Sequence, residues 1–250
     1  MARGKKQIEG QLNFDFCLDS GNYVVQANTL IGGKQALKLN SAKLIRSAIM
    51  QVVRDDEDLK PYVITIKELS ELLGVPASNI YRDIESITDD IISNPVYVRM
   101  EEDGKTSRFI KIPWVTRCEY KSDVGVALKL NEELKPFLIN LKKNYTQYTL
   151  QEVLSMKSVY GIRIFELLES KIMQKILPKN GVDIIIPVQE LRECCGCEDK
   201  YPAFGSFKKK VIDMAVSEIN RVTSYVVTFD YLKTGRSVTS IRFHVNMMYH

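Results

Sequence analysis

The chain has 250 residues, 45% of them apolar and 26% charged, which indicates a soluble globular protein with room for two domains of about 120 residues each. No apolar run approaches the roughly 20 residues that span a bilayer, and the basic N-terminal residues lack the apolar core of a signal peptide. We therefore expect a cytoplasmic protein with no membrane partner and with five reduced cysteines. The net charge of +4 is uneven, since residues 1–120 carry −1 and residues 121–250 carry +5.

The first half of the chain predicts a tail followed by one domain. Residues 1–27 are expected to form a flexible tail with a short strand at 23–25. Apolar spacing and turn residues divide the first domain, residues 28–120, into helix 42–53, strand 62–66, helix 67–73, helix 78–93, and strands 96–101 and 107–112 around a turn at 103–105.

The second half predicts a connecting segment and a second domain. Residues 121–144 form the interdomain segment, which contains a helix at about 131–143. The second domain, residues 145–250, is predicted to contain helices 149–155 and 158–176, strand 181–187, helix 188–195, helix 204–221, and strands 224–232 and 237–246 around a turn at 233–236.

A short motif occurs in both halves. With an offset of 122 residues, Glu68, Leu69, Glu71 and Gly74 recur as Glu190, Leu191, Glu193 and Gly196. In each half an isoleucine-rich strand precedes the motif, and a second helix and two strands joined by a turn follow it. This is the order of a winged helix. The sequence therefore predicts an α+β fold of two tandem winged helices, with double-stranded DNA as the first partner to consider.

The second helices of the two helix-turn-helix motifs differ in charge. In the first half this helix carries one arginine against four acids, Asp83, Glu85, Asp89 and Asp90, so phosphates would repel it. In the second half it carries three successive lysines, 208–210, on a helix whose polar side points away from its apolar stripe. That polar side is either a solvated face or a DNA-facing one, and the helix-turn-helix context favours DNA.

The predicted DNA-binding residues lie on that polar side and at the two wing tips. They are Ser206, Lys208, Lys209, Lys210, Asp213, Ser217, Lys233, Arg236 and, in the first wing, Lys105. Lys208 lies near the apolar edge and would extend toward phosphate. Lys209 and Lys210 could donate to guanine O6 and N7, and Asp213 could accept from cytosine N4.

The second half also resembles a known family. The matching stretches, in order, are Tyr145-x-x-Tyr148, Lys157-Ser158-Val159-Tyr160-Gly161-Ile162-Arg163-Ile164-Phe165-Glu166-Leu167-Leu168, Phe204-x-x-Phe207-Lys208-Lys209-Lys210, Glu218-Ile219-Asn220, Gly235-Arg236 and Ile241-x-Phe243. They resemble the C-terminal domain of iteron-binding plasmid replication initiators of the RepA/RepE type. Asn28-x-Leu30 and Leu134-x-Pro136 are similar to the N-terminal half of that family.

The resemblance implies a function and a set of partners. Monomers would bind directly repeated origin sites, the iterons, mainly through the second domain, and would help to open the origin and recruit the host initiator and replicative helicase. Homodimers, formed through the first domain, would bind the protein's own operator and repress its gene. The first domain would add auxiliary DNA contacts. Members of such a family act by binding and deforming DNA, so no cofactor is expected.

Two other functions fit the same residues. A two-domain winged-helix transcription repressor without a replication role would need the same charge distribution, and a winged-helix protein-interaction module would need no DNA at all. The arrangement of the DNA sites distinguishes the repressor from an initiator. An initiator needs clustered direct repeats, whereas a repressor needs an inverted repeat. Failure to bind any duplex at low salt would indicate the interaction module.

Metal and catalytic sites are not predicted. Cys194, Cys195 and Cys197 occupy the repeat positions of Leu72, Leu73 and Val75, which favours buried apolar roles over zinc binding. A DNA-cutting initiator would need a histidine pair beside a tyrosine, and the two histidines, His244 and His250, do not form one. Arg163, inside an apolar stretch, is expected to pair internally with Glu166 or Glu169 rather than with phosphate.

Overall fold

The structure, a computed structural model, describes residues 22–102, 105–122, 124–172 and 181–247. The elements of the first half are β1 (Tyr23–Ala27), α1 (Asn28–Gly32), α2 (Leu39–Met50), β2 (Pro61–Thr65), α3 (Ile66–Leu73), α4 (Ala77–Ser93), β3 (Val96–Glu102), β4 (Lys105–Ile112), β5 (Val115–Lys121), β6 (Gly125–Leu130), a 3₁₀ turn (Glu132–Leu134) and α5 (Lys135–Leu138). We call β2 to β6, with α2, the first unit.

The remaining elements include a second unit of the same plan. They are β7 (Tyr145–Thr149), α6 (Leu150–Ser155), α7 (Val159–Ile172), β8 (Val182–Pro187), α8 (Val188–Cys194), α9 (Phe204–Phe207), a π-helical turn (Lys208–Ile212), α10 (Asp213–Val222), β9 (Tyr225–Thr234) and β10 (Ser237–Met247). We call α7 to β10 the second unit. Helices packed on small antiparallel sheets confirm the predicted α+β class with two winged helices.

Both helix-turn-helix motifs have boundaries that the sequence encodes locally. The Thr65 hydroxyl accepts from the Glu68 amide at 3.2 Å, and the Glu68 carboxylate accepts from the Thr65 amide at 2.7 Å, so the two residues cap α3. Gly74 ends α3 with φ of +64°, and Gly196 follows α8 with φ of +58°. Glycine adopts this left-handed conformation without a steric penalty. The predicted repeat is therefore present in the backbone.

Each unit has a three-stranded antiparallel sheet whose edge strand precedes the helix-turn-helix. The strand order is β2-β6-β5 in the first unit and β8-β10-β9 in the second. Ile64 lies opposite Val126 in the first sheet, as Ile186 lies opposite Ile241 in the second. Strand β6 is therefore the counterpart of β10, and β5–β6 is the wing of the first unit.

The predicted first wing is thus a different hairpin. Strands β3 and β4, which flank residues 103–104, form a separate two-stranded sheet inserted between α4 and the true wing. The prediction that this hairpin is the wing is wrong. Alternating apolar residues predict both hairpins equally well, and they do not show which hairpin pairs with β2.

The predicted domain boundaries also differ from the observed packing. Strand β1, expected in the tail, pairs along its whole length with β7, so that Tyr23 lies opposite Thr149 and Ala27 opposite Tyr145. Strand β6, expected in the interdomain segment, is the central strand of the first sheet, and the helix there is the short α5. These differences arise from pairing over long sequence separations, which local patterns do not reveal. Residues 1–21 of the predicted tail lie outside the described residues.

A buried ionic network on α7 joins the two units. Glu166 accepts from Arg46 of α2 at 2.8 and 2.9 Å and forms an ion pair with Arg163. Arg163 also donates to the carbonyls of Gly33, which lies between α1 and α2, at 2.9 Å and of Cys194, at the end of α8, at 3.2 Å. Burial would raise the pKa of Glu166, but the two guanidinium groups hold that pKa at about 2. The expected internal pairing of Arg163 is confirmed.

Candidate nucleic-acid interface

The second helix of the second helix-turn-helix is one continuous segment, residues 204–222, which we call the recognition helix. It consists of α9, the π-helical turn and α10. Its buried side packs on α7 and β9 and comprises Phe207, Val211, Ile212, Ala215 and Ile219. This burial fixes the helix rotation, so the opposite side is held toward solvent.

Arg192 of α8 fixes the connector that leads into the recognition helix. Its guanidinium donates to the carbonyls of Lys200 and Tyr201, each at 2.8 Å. The same group lies 4.2 Å from the centre of the Phe207 ring, in a cation–π contact. Arg192 therefore anchors both the connector and the first turn of the recognition helix to α8.

The π-helical turn brings together two of the predicted DNA-binding residues. Lys208 and Asp213 are five residues apart, and Lys208 Nζ lies 2.8 Å from both carboxylate oxygens of Asp213. This hydrogen bonding raises the pKa of Lys208, whose ammonium also lies over the Phe229 ring. The residues predicted to contact phosphate and cytosine thus bind each other here, at the kind of helix irregularity that often marks functional sites.

Four other predicted residues share the exposed side of the recognition helix. They are Ser206, Lys209, Lys210 and Ser217. The described residues supply one ion pair to this helix, Lys208 with Asp213, and the two following lysines extend into solvent. Met214 lies on the same side with 42% of its surface exposed, which the sequence analysis missed. Its spacing of four residues from Lys210 was the available signal in the sequence.

The second wing, whose strand β9 contacts this helix, carries two further cations at its tip. Lys233 and Arg236 are exposed at the tip of the β9–β10 hairpin, where Gly235 has φ of +61°. Phe204, at the start of the recognition helix, packs edge-on against Tyr231 of β9 with ring centres 5.6 Å apart. The helix and the wing strand are therefore in direct contact.

The recognition helix is also tied to the segment that precedes α7. Glu218 is buried and accepts from two successive backbone amides just before α7, at 2.7 and 3.0 Å. Arg221 donates to the carbonyl of Ser155 at 2.8 Å. Lys43 of α2 donates to the neighbouring carbonyl of Leu154 at 2.6 Å, and burial lowers the pKa of its ammonium although the Glu218 carboxylate acts in the opposite direction. The first unit and the recognition helix thus bind the same segment, residues 154–158.

The corresponding surface of the first unit is acidic. Asp83, Glu85 and Asp89 are exposed on α4, whereas Asp90 is buried and accepts from the Lys38 amide at 2.8 Å. Phosphates would be repelled by this helix, as the sequence predicted.

Lys105 does not share the position of Arg236. It begins β4 of the inserted hairpin, and its side chain lies outside what the structure describes. Its expected contact with DNA stays a prediction.

Three buried cysteines and the described histidine lie in surroundings that indicate a structural role. Cys194, Cys195 and Cys197 are buried as predicted, and burial raises the pKa of each thiol. His244 lies between Asp183 at 2.6 Å and Asp230 at 3.2 Å, on the outer face of the second sheet. Over the described ranges, no cluster of three or more potential metal ligands is found. None of the described helices combines the length and apolar character needed to traverse a bilayer.

Curated proteins and a solved structure resemble this chain over much of its length. A replication initiation protein of Escherichia coli is 23% identical over 228 residues, which are 90% of this chain and 69% of that protein. The PI protein of Escherichia coli is 30% identical over 147 residues, which are 53% of this chain and 46% of that protein. The crystal structure of the Pi initiator protein in complex with iteron DNA matches with a TM-score of 0.74 at 20% identity, over 92% of this chain and 98% of that one. The structural match shows a shared fold.

Two sequence models of one family match the chain in the order of its two units. Residues 23–169 match the model described as initiator replication protein, WH1, and residues 187–245 match the model described as initiator Rep protein, WH2. The first match begins at β1 and extends into α7, in agreement with the pairing of β1 and β7. Because the first model alone spans more than half of the residues, the chain belongs to the family of initiator replication proteins.

Proposed function

We propose that this chain initiates plasmid replication by binding iterons in the plasmid origin, chiefly through the recognition helix and wing of its second unit. The observation that carries the proposal is the exposed side of the recognition helix, where Lys209 and Lys210 extend into solvent, together with the exposed cations of the wing that contacts this helix. The acidic surface of α4 supports the choice of the second unit over the first. Family membership and the iteron DNA bound to the similar Pi protein support the choice of ligand.

In this proposal the protein acts by holding and deforming DNA. The recognition helix enters the major groove, where Lys209 and Lys210 donate to guanine or phosphate oxygens. Ser206 and Ser217 bind the DNA backbone toward either end of the helix, and the wing cations neutralise neighbouring phosphates. Each neutralised phosphate releases condensed counterions, so we expect affinity to fall steeply as salt is raised.

The finer parts of the proposal concern the first unit and other partners. Monomers on iterons would open the origin and recruit the host initiator and helicase, and dimers formed through the first unit would repress the protein's own gene at an operator. The family resemblance supports these roles. Sedimentation of the full chain at micromolar concentration tests the dimer, since a single monomeric species there would contradict it.

A nuclease footprint on the DNA flanking the gene tests the proposed function. Wild type is compared with Lys209→Ala/Lys210→Ala and with Lys142→Ala/Lys143→Ala, a control that removes the same two charges from exposed lysines elsewhere. We expect regularly spaced protection of direct repeats, lost in the first variant and kept in the control. Protection of one inverted repeat over a promoter would indicate a repressor. No protection of any duplex at low salt would indicate a protein-interaction module.

A further inference from the structure

We propose that Met214 reads the C5-methyl group of a thymine in the bound site, an inference that rests on the proposed function. Met214 follows Lys210 by four residues and precedes Ser217 by three, so the three residues lie on one side of the recognition helix. It exposes 42% of its surface, whereas its neighbour Ala215 is fully buried. The exposed side therefore has an apolar group between Lys210 and Ser217.

The polar groups around Met214 do not provide for recognition of an A·T base pair. Lysine ammonium groups donate to guanine, and both carboxylate oxygens of Asp213 are occupied by Lys208. Adenine is usually read by an asparagine or glutamine, but the single side-chain amide of this helix, Asn220, exchanges hydrogen bonds of 2.9 and 2.6 Å with the backbone of Val227. An A·T pair can still be recognised through the thymine methyl, which projects into the major groove and packs against apolar side chains.

Methionine at a braced backbone position suits this contact. The unbranched thioether adapts its shape to the surface that it meets, and methionine is a good helix former. The backbone beneath it is held, because Ala215 packs in the core and Glu218 binds the amides before α7. The Cα atom of Met214 is thus fixed relative to the groove, while the side chain can adjust to the methyl group.

The experiment measures binding of the full chain to duplexes that carry one repeat found in the footprint. Each thymine is replaced in turn by deoxyuridine, which lacks only the C5-methyl group. For wild type we expect one position at which the replacement weakens binding roughly four-fold, the effect of one buried methyl group. Met214→Ala should bind the thymine duplex with a similar loss and should not respond to deoxyuridine at that position. Met214→Leu should restore the response.

Ile185→Ala provides the control, because Ile185 is also an exposed apolar residue but lies on β8, away from the recognition helix. This variant should keep the wild-type response at every thymine. If Met214→Ala shows the same deoxyuridine losses as wild type, or if no thymine matters to wild type, Met214 does not read a methyl group. Either result would leave the proposed function intact, since wild type would still bind the repeat. Failure of wild type to bind any repeat would overturn both.

Discussion

The two units share a backbone plan but present opposite charges where DNA would lie. Both have a strand, a short helix ended by a left-handed glycine, a longer helix and a three-stranded sheet in the same order. The recognition helix exposes Lys209 and Lys210, whereas α4 exposes Glu85 and Asp89. Buried residues therefore determine the winged helix, and exposed residues determine whether phosphate is attracted or repelled.

The units also differ in what supports them. The hairpin β3–β4 has no counterpart in the described part of the second unit, and it rests against the second helix-turn-helix. Arg99 on this hairpin forms an ion pair with Glu193 of α8, and Lys34 beside it pairs with Glu198 at 2.7 Å. We infer that the first unit serves in part as a scaffold that positions the DNA-reading unit.

The largest expected effect comes from breaking the network that joins the units. Glu166→Ala would leave the buried guanidinium groups of Arg46 and Arg163 without their carboxylate. Removing one partner of a buried ion pair typically costs about 3–5 kcal/mol, so the free energy of unfolding should fall by that amount. Chemical denaturation followed by circular dichroism measures the change.

A surface ion pair on the same helix provides the matched control for that variant. Lys171 lies 3.4 Å from Glu190, with the two side chains 43% and 39% exposed, so Lys171→Ala should cost no more than about 1 kcal/mol. If the two variants lost equal stability, the buried network would not be what joins the units.

The second prediction concerns another buried glutamate one turn further along α7. Burial raises the pKa of Glu169 to about 7, although a hydrogen bond from Tyr225 of β9 acts in the opposite direction. The folded state therefore keeps a proton that the unfolded state releases above the ordinary pKa of 4.5. Stability contributed by this group is complete below that value and is lost as pH rises toward 7, by up to roughly 3 kcal/mol.

Glu169→Gln removes this titration and isolates it from other groups. Between pH 5 and pH 8, the free energy of unfolding should fall more for wild type than for the variant. Near pH 5 the two proteins should be similar, and at pH 8 the variant should be the more stable. Parallel pH profiles would show that Glu169 does not titrate between the folded and unfolded states.

Changing the charges of the recognition helix and of α4 tests most directly whether exposed charge determines which unit binds DNA. Lys209→Ala/Lys210→Ala should weaken binding to a protected repeat by roughly 2–3 kcal/mol if both lysines contact bases or phosphates, and the salt slope should become shallower by up to about 2. Glu85→Lys/Asp89→Lys on α4 should raise affinity for unrelated duplexes without improving discrimination. Fluorescence anisotropy at several salt concentrations measures both. Equal losses for an unrelated duplex and the repeat would assign the lysines to phosphate alone.

Features that depend on neighbouring residues were predictable from sequence, and features that depend on distant pairing were not. Gly74 and Gly196 ended the two helices as expected, and the lysine run lies where helical spacing placed it. The sequence did not reveal that β6 rather than β4 pairs with β2, because both hairpins have the same alternation. It also did not reveal the ion pair between Lys208 and Asp213, since a helical wheel assumes 3.6 residues per turn and a π-helical turn departs from that period.

That ion pair gives the smallest expected effect. Asp213→Asn would free the Lys208 ammonium, which Asp213 now holds at 2.8 Å from both carboxylate oxygens. A released ammonium at this edge of the helix can neutralise one more phosphate, so affinity for an unrelated duplex should rise a few-fold at low salt and the salt slope should steepen by about 1. Affinity for the repeat should rise less, because Asp213 also limits where Lys208 can reach, and the specificity ratio should therefore fall. A steeper salt slope without loss of specificity would show that Asp213 neutralises Lys208 but does not limit where it binds. An unchanged salt slope would show that Lys208 does not reach phosphate.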